Sequence, residues 1–179
     1  MPYAREDAAT LQSIFGRRLE CLQEAQATRE TMIQLSQADQ LTPYNVIHFS
    51  THVMLDHVAP SQSGVLLHDD YLVYADILRL KLRTRLVVLA SCEGALGQRY
   101  AGDEVIGLAQ AFFFAGAKTV VASLWPVEDA STSEFMKYFY GALNTGIGVV
   151  RSLGAAQRKM AAMGYAPHHW APFVAIGLP

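Results

Sequence analysis

The stretch RLVVLASCEGALG, residues 85–97, begins as an unbroken apolar run and then changes character at a cysteine followed by glycines. A short apolar run of this kind is typical of a buried β-strand, here over 85–91. A second stretch, NVIHFSTHVMLD at 45–56, has the same plan, since a predicted strand over 44–50 is followed by His52. Two buried strands therefore each lead into a residue that can do thiol or proton chemistry.

The rest of the chain alternates helical and β-type patterns. Apolar residues recur at helical spacing in most of the remaining segments, and glycines close several of them. We predict helices over 4–16, 28–38, 75–82, 103–117, 129–146 and 149–164, and further strands over 118–125 and 172–178. Residues 53–74 are predicted to be mostly loop with a small hairpin around Asp69-Asp70, and residues 19–26 are ambiguous between a short strand and a loop.

Strands that alternate with helices predict a mainly parallel central sheet covered on both faces, which is an α/β/α arrangement. In such sheets, functional residues gather at the carboxyl ends of the strands. If the strands over 44–50 and 85–91 are adjacent and parallel, the fold itself brings His52 and Cys92 to one edge of the sheet.

Composition limits the class of protein. The chain has 179 residues, 51% of them hydrophobic and 17% charged, which is typical of one globular domain. A net charge of −2 without a basic block gives no support for nucleic-acid binding, and the lack of a run of about 18 apolar residues argues against a membrane span. The two cysteines, Cys21 and Cys92, favour a reducing, cytoplasmic setting. Because MPYARED runs directly into a helix, we interpret the domain, 1–179, as a fragment or one module of a longer chain.

Cys92 and His52 form the main candidate site. A free cysteine has a pKa of about 8.5 and is a poor nucleophile until a nearby imidazole or helix N-terminus lowers that pKa. His52 can act as the base or the ion-pair partner, and Gly94 and Gly97 provide a turn whose backbone N–H groups could point at a developing oxyanion. Spacing alone leaves the site open, because a cysteine at the end of a buried strand is more often inert packing.

Five ordered motifs resemble the CHAT domain, a caspase-like cysteine peptidase family related to separase. They are PYARED at 2–7, HFSTH at 48–52, VVLASCEGALG at 87–97, GDEVIGLAQAFFFAGAKTVVASLWPVEDAST at 102–132 and HHWAPFVAIG at 168–177. The resemblance covers nearly the whole chain and implies a caspase-like three-layer α/β/α sandwich, with Cys92 as the nucleophile and His52 as the general base of a dyad. It also implies control by a regulatory domain or partner protein, and no cofactor.

Val53 departs from the pattern of that family, which usually has glycine directly after the catalytic histidine. The resemblance implies that backbone N–H groups of Val53 and Cys92 form the oxyanion hole. Valine resists a positive φ and brings a branched side chain near the substrate carbonyl. Loss of one oxyanion donor costs about 3–4 kcal/mol in other enzymes, so Val53 is the best argument for a weakened or inactive enzyme.

The segment SLWPVEDAS, 123–131, is the candidate substrate-binding segment. The resemblance implies that it runs beside the bound peptide, which could add as an extended strand near Trp125. Glu128 and Asp129 would then favour a basic residue at P1, the position before the cleaved bond. Asp129 is also a good helix N-cap, and the two roles are compatible.

His48 adds an alternative chemistry. On a continuous strand His48 and His52 share a face and could bind a metal, but no Cys, Asp or Glu set stands at ligand spacing, so a hydrogen-bonded core histidine is favoured. We therefore predict a cysteine endopeptidase without a metal that cleaves protein or peptide substrates through Cys92 and His52. The alternative is a catalytically weak or inactive caspase-like module that binds a peptide or protein partner.

Overall fold

Helices and strands alternate along most of the chain, as the sequence pattern predicts. The computed structural model describes residues 2–56, 58–90 and 102–178. Within them the helices are α1 (Pro2–Phe15), α2 (Arg29–Gln37), α3 (Tyr74–Ile77), α4 (Gly102–Phe114), α5 (Asp129–Leu143) and α6 (Val149–Ala162). The strands are β1 (Val46–Phe49), β2 (Val53–Met54), β3 (Gly64–Leu66), β4 (Tyr71–Val73), β5 (Leu86–Leu89), β6 (Thr119–Ser123) and β7 (Phe173–Gly177). None of these helices combines the length and the apolar character that crossing a membrane requires.

The main sheet has the strand order β1-β5-β6-β7. β1, β5 and β6 run parallel, with Phe49 opposite Leu89 and Leu89 opposite Ala122. β7 pairs antiparallel with β6. The prediction of a mainly parallel sheet is therefore confirmed, and the carboxyl ends of β1, β5 and β6 meet at one edge.

Strand β5 shows how the sheet is covered on both faces. All of its residues are buried, and successive side chains enter different cores. Val87 and Leu89 join the core beneath α2, α3 and α4, whereas Leu86 and Val88 join the core beneath α1, α5 and α6. Burial on both faces explains the continuous apolar run in the sequence and gives the three-layer α/β/α sandwich.

A second, antiparallel sheet is formed by β2, β3 and β4, in that order. The predicted hairpin around residues 69–70 is confirmed, because β3 and β4 pair on either side of it. The two-residue strand β2 is not part of that prediction, which has loop at 53–54. Val65 and Leu72 are completely buried and belong to the same core as Val87, so the small sheet is packed onto the main one.

Local sequence signals fix several helix ends. Thr28 caps α2, since its hydroxyl oxygen accepts a hydrogen bond from the N–H of Thr31. Gly116 follows α4 with a φ of +108°, a conformation that glycine adopts without steric cost.

The short strand considered for 19–26 is not found, and Glu24–Gln26 forms a 3-10 turn there instead.

Candidate active site

The candidate site lies at the carboxyl edge of the main sheet. β1 and β5 are adjacent, parallel and in register, and the Ala90 N–H donates to the Phe49 carbonyl over 3.0 Å just beyond β5. His52 follows Phe49 by three residues, and Cys92 follows Leu89, the partner of Phe49, by three as well. In the structure, His52 therefore lies just beyond the carboxyl end of β1, at the edge of the sheet where it is predicted. Cys92 lies outside the described residues, so its pairing with His52 stays a prediction.

A three-residue connector joins β1 to the small sheet and carries His52. At its start, the Ser50 hydroxyl donates to the carboxylate of Asp7 on α1 over 2.6 Å. At its end, the Thr51 hydroxyl donates to the Leu66 carbonyl over 2.8 Å, and the Leu66 N–H donates to the His52 carbonyl over 2.9 Å. The backbone that presents the imidazole is therefore tied to α1 on one side and to β3 on the other.

The His52 ring has a buried nitrogen that no described residue pairs with. Its Nδ1 is buried and has no hydrogen-bond partner among the residues that the structure describes. A buried polar atom without a partner costs about 1–3 kcal/mol, so such atoms are rare and point to an unassigned partner or a functional role. An imidazole on an anchored connector at a strand end can give or take a proton.

Val53 lies in β2, where it pairs with Val65 of β3. Its backbone is extended, and it is not one of the non-glycine residues with positive φ in the described chain, which are Glu24, Asp39 and Arg83. An extended backbone suits valine, so the glycine of the family pattern is not needed for the conformation seen here. The role of Val53 and Cys92 as oxyanion donors stays a prediction.

His48 is a hydrogen-bonded core histidine, and that prediction is confirmed. Its Nδ1 lies 2.8 Å from the Tyr140 hydroxyl, on the side of the sheet that α5 covers. Burial lowers the pKa of His48 to about 4, and the charge of Asp7 acts in the opposite direction. Strand β1 ends at Phe49, so the alternation that would place His48 and His52 on one face does not reach His52. Within the described parts of the chain, no cluster of three or more metal-ligating side chains occurs.

Trp125 lies on the segment that leaves the carboxyl end of β6. Its indole N–H donates to the His168 carbonyl over 3.1 Å, and its ring stacks on the His168 imidazole at 6.3 Å between centroids. The segment after β6 is therefore in contact with the 3-10 turn Pro167–His169 through Trp125 and His168. Contact of Trp125 with a substrate stays a prediction.

Glu128 and Asp129 lie at the start of α5, one strand away from the end of β5. The N-cap of α5 is Glu128 rather than Asp129, and no side chain in the described part of the chain caps the helix. The Glu128 carbonyl accepts bonds from the Ser131 hydroxyl and the Thr132 N–H, at 3.0 and 2.9 Å. The N-cap predicted for Asp129 is therefore wrong by one residue, because the helix begins at Asp129 itself. The predicted role of both acids in binding a basic P1 residue is not tested by these contacts.

Sequence reasoning missed Asp7. The residue is only 5% exposed, its Oδ2 accepts the bond from Ser50, and its Oδ1 is buried with no partner among the described residues. A signal was present, since Asp7 lies at helical spacing from Leu11 and Ile14, which face the core under α1. A carboxylate at an apolar position of a helix indicates a specific polar contact.

The three layers and the mainly parallel main sheet are consistent with a caspase-like α/β/α sandwich. The sequence matches the model of the CHAT domain over residues 1–178, so the chain belongs to the CHAT domain family. It is similar to tetratricopeptide repeat protein 28 of Mus musculus and of Homo sapiens, each 29% identical over 217 aligned positions. These alignments cover 99% of this chain and 8% of each relative, so the chain spans less than a tenth of their length.

Proposed function

We propose that this CHAT domain is a cysteine endopeptidase that works through Cys92 and His52. The observation that carries the proposal is the register of β1 and β5, which pairs Phe49 with Leu89 at the carboxyl edge. Adjacent strands lie about 4.8 Å apart, so residues at equal offsets beyond a paired position leave the sheet side by side. Membership in a caspase-like family supports the same two roles.

The proposed reaction is acyl transfer. The Cys92 thiolate attacks the scissile carbonyl carbon, and backbone N–H groups of Val53 and Cys92 are the expected donors to the oxyanion. The carbon–nitrogen bond then breaks as protonated His52 gives its proton to the leaving amine, which leaves a thioester on Cys92. A water molecule then attacks the thioester carbon while His52 takes a proton from that water. The bond to sulfur breaks, so the carboxylic acid product leaves and the Cys92 thiolate is restored.

A basic P1 residue is the proposed specificity. Glu128 is exposed and Asp129 is partly exposed, and both follow the strand next to β5. Carboxylates bind the guanidinium of arginine through charge-assisted hydrogen bonds. The variants Glu128→Gln and Asp129→Asn should therefore slow cleavage after arginine and leave cleavage after norleucine unchanged.

Covalent labelling tests the proposal. The purified chain is treated at neutral pH with a peptide acyloxymethyl ketone that carries arginine at P1, and the labelled residue is found by mass spectrometry. We expect Cys92 to be labelled, Cys92→Ala to abolish labelling, and His52→Ala to slow it at least about 100-fold, because the imidazole activates the thiol.

Cys21 provides a matched control within the same molecule. It is an exposed, free cysteine, so slow alkylation there cannot be ascribed to burial. Iodoacetamide should modify Cys92 much faster than Cys21 at pH 7, and Cys21→Ala should label like the parent. Equal alkylation rates, together with no labelling of the parent under any activating condition, would contradict the proposal and favour a module that binds partners without turnover.

Regulation by an attached or partner domain belongs to the same proposal. The relatives are named as tetratricopeptide repeat proteins, and this chain matches a small part of each. We infer that the domain works as a module whose peptidase activity answers to another domain or protein. Full activity of the isolated chain, unchanged by any added partner, would count against that part.

A further inference from the structure

We propose that Asp7 and Ser50 are positioning residues for His52. This inference deepens the function proposed above and rests on it. The hydrogen bond from the Ser50 hydroxyl to the Asp7 carboxylate, 2.6 Å long, joins α1 to the connector two residues before the imidazole. It is a short bond to an ionisable group, which is the stronger class of hydrogen bond in proteins.

The bond between Ser50 and Asp7 lies where it can restrain the orientation of the His52 ring. The connector leaves β1 at Phe49 and enters β2 at Val53, so its backbone torsions decide where the ring of His52 points. Leu66 fixes the far half of the connector through its backbone N–H and carbonyl. The bond between Ser50 and Asp7 fixes the near half, and the ring is held between two anchored points.

The energetics of Asp7 argue against a role in stability alone. A carboxylate that is 5% exposed, with one oxygen lacking a partner among the described residues, disfavours folding relative to an apolar side chain. Leucine at this position of α1 would extend the apolar face that Leu11 already forms. Because the carboxylate of Asp7 disfavours folding at this core position, its presence is better explained by the position that it gives to Ser50 through their hydrogen bond.

The test uses the whole 179-residue chain with substitutions on both sides of the bond. Ser50→Ala removes the donor, Ser50→Thr keeps a hydroxyl, and Asp7→Leu removes the acceptor. Ser13→Ala is the matched control, since the hydroxyl of this exposed serine on α1 donates to the Thr10 carbonyl of its own helix. Each variant is measured for kcat, KM, Tm and the imidazole NMR resonance of His52, assigned by its loss in His52→Gln.

We expect Ser50→Ala to lower kcat about tenfold with KM unchanged, because a small displacement of a catalytic group costs rate rather than binding. The His52 resonance should shift and broaden, and Ser50→Thr should restore both readouts. Asp7→Leu should give the same loss of kcat without a fall in Tm, and the double variant should add nothing further. Ser13→Ala should match the parent in every readout.

The inference is overturned if Ser50→Ala turns over at the parental rate with the His52 resonance unmoved. It is also overturned if kcat falls only in step with Tm while the resonance stays in place. Absence of any turnover or labelling in the parent would refute the peptidase proposal instead. In that case the His52 resonance in Ser50→Ala still decides whether this bond positions the ring.

Discussion

His48 is a partly buried histidine whose neutral form the fold favours. Its Nδ1 is paired with the Tyr140 hydroxyl, and its Nε2 is buried without a partner among the described residues. Burial lowers its pKa from 6.5 to about 4, against the opposing charge of Asp7. Because the unfolded chain binds a proton at higher pH than the folded chain does, stability depends on pH through this residue.

The free energy of unfolding should fall as the pH drops from 6.5 to 4, the window set by the unfolded and folded pKa values of His48. Above that window both states are neutral at His48 and it contributes no slope. Within it the unfolded state gains the proton first, so stability is lost, by up to about 3 kcal/mol over the whole range. Urea denaturation at half-unit pH steps measures this loss.

His48→Asn should flatten that part of the pH profile, since asparagine can still pair with Tyr140 but does not titrate there. His68→Asn is the control, because His68 is exposed on the hairpin between β3 and β4. An unchanged slope in His48→Asn would show that another group controls the acid limb.

The sequence identifies residues whose chemistry is local and misses those whose role depends on long-range contacts. His52 and the favoured state of His48 follow from strand positions and side-chain chemistry. Asp7 and Ser50 are 43 residues apart, and no local pattern pairs them. The acceptor of the Trp125 indole N–H, the His168 carbonyl, is equally distant in the chain.

At the scale of elements, the end of α4 depends on one glycine. The Gly116 N–H donates to the Phe113 carbonyl over 3.0 Å and the Ala117 N–H to the Phe112 carbonyl over 2.9 Å, which is a Schellman motif. The φ of Gly116 is +108°, and a Cβ added there would lie 3.0 Å from the Arg83 backbone nitrogen. Both the conformation and the space therefore require glycine.

Gly116→Ala should destabilise the chain by about 2–3 kcal/mol, because alanine would be strained in this conformation and would crowd Arg83. Gly146→Ala is the matched control: φ is +85° there and nothing lies within 4 Å of the added Cβ. We expect it to cost about 1 kcal/mol. Equal losses in urea denaturation would show that crowding against Arg83 is unimportant.

Element boundaries were predictable where the hydrophobic period is long enough to read. α5 and α6 span several helical turns, and β5 is an apolar run, so each was found near its true position. The hairpin of β3 and β4 was predicted from its turn, but β2 has only two residues, which is too short for alternation to show. The packing of the small sheet depends on burial of Val65 and Leu72 against the main core, which a local pattern does not contain.

At the scale of the whole molecule, the small sheet is held by a core that it shares with the main sheet and by an ion pair to α2. The guanidinium of Arg29, the first residue of α2, donates two hydrogen bonds of 2.7 Å to Asp76 of α3. The bonded guanidinium holds the pKa of Asp76 below its ordinary value. The same carboxylate accepts a bond from the Val73 N–H at the end of β4. The ion pair of Arg29 and Asp76 therefore links the end of β4, in the small sheet, to α2.

Asp76→Asn should lower the free energy of unfolding by about 1–2 kcal/mol, since the carboxylate is mostly buried while Arg29 can turn to solvent. The amides of β3 and β4 should lose hydrogen-exchange protection before those of β5. Asp70→Asn is the control, because Asp70 is an exposed acid on the same hairpin whose carboxylate accepts a bond from the N–H of its neighbour Tyr71. Uniform loss of protection across both sheets would contradict a local fastening role.

The backbone of Leu66 is hydrogen-bonded to both Thr51 and His52, and Leu66 belongs to the small sheet rather than to the main one. The position of β3 therefore bears directly on the backbone that carries the imidazole. We expect that a partner bound to the hairpin of β3 and β4 would shift the ring of His52 through this backbone contact.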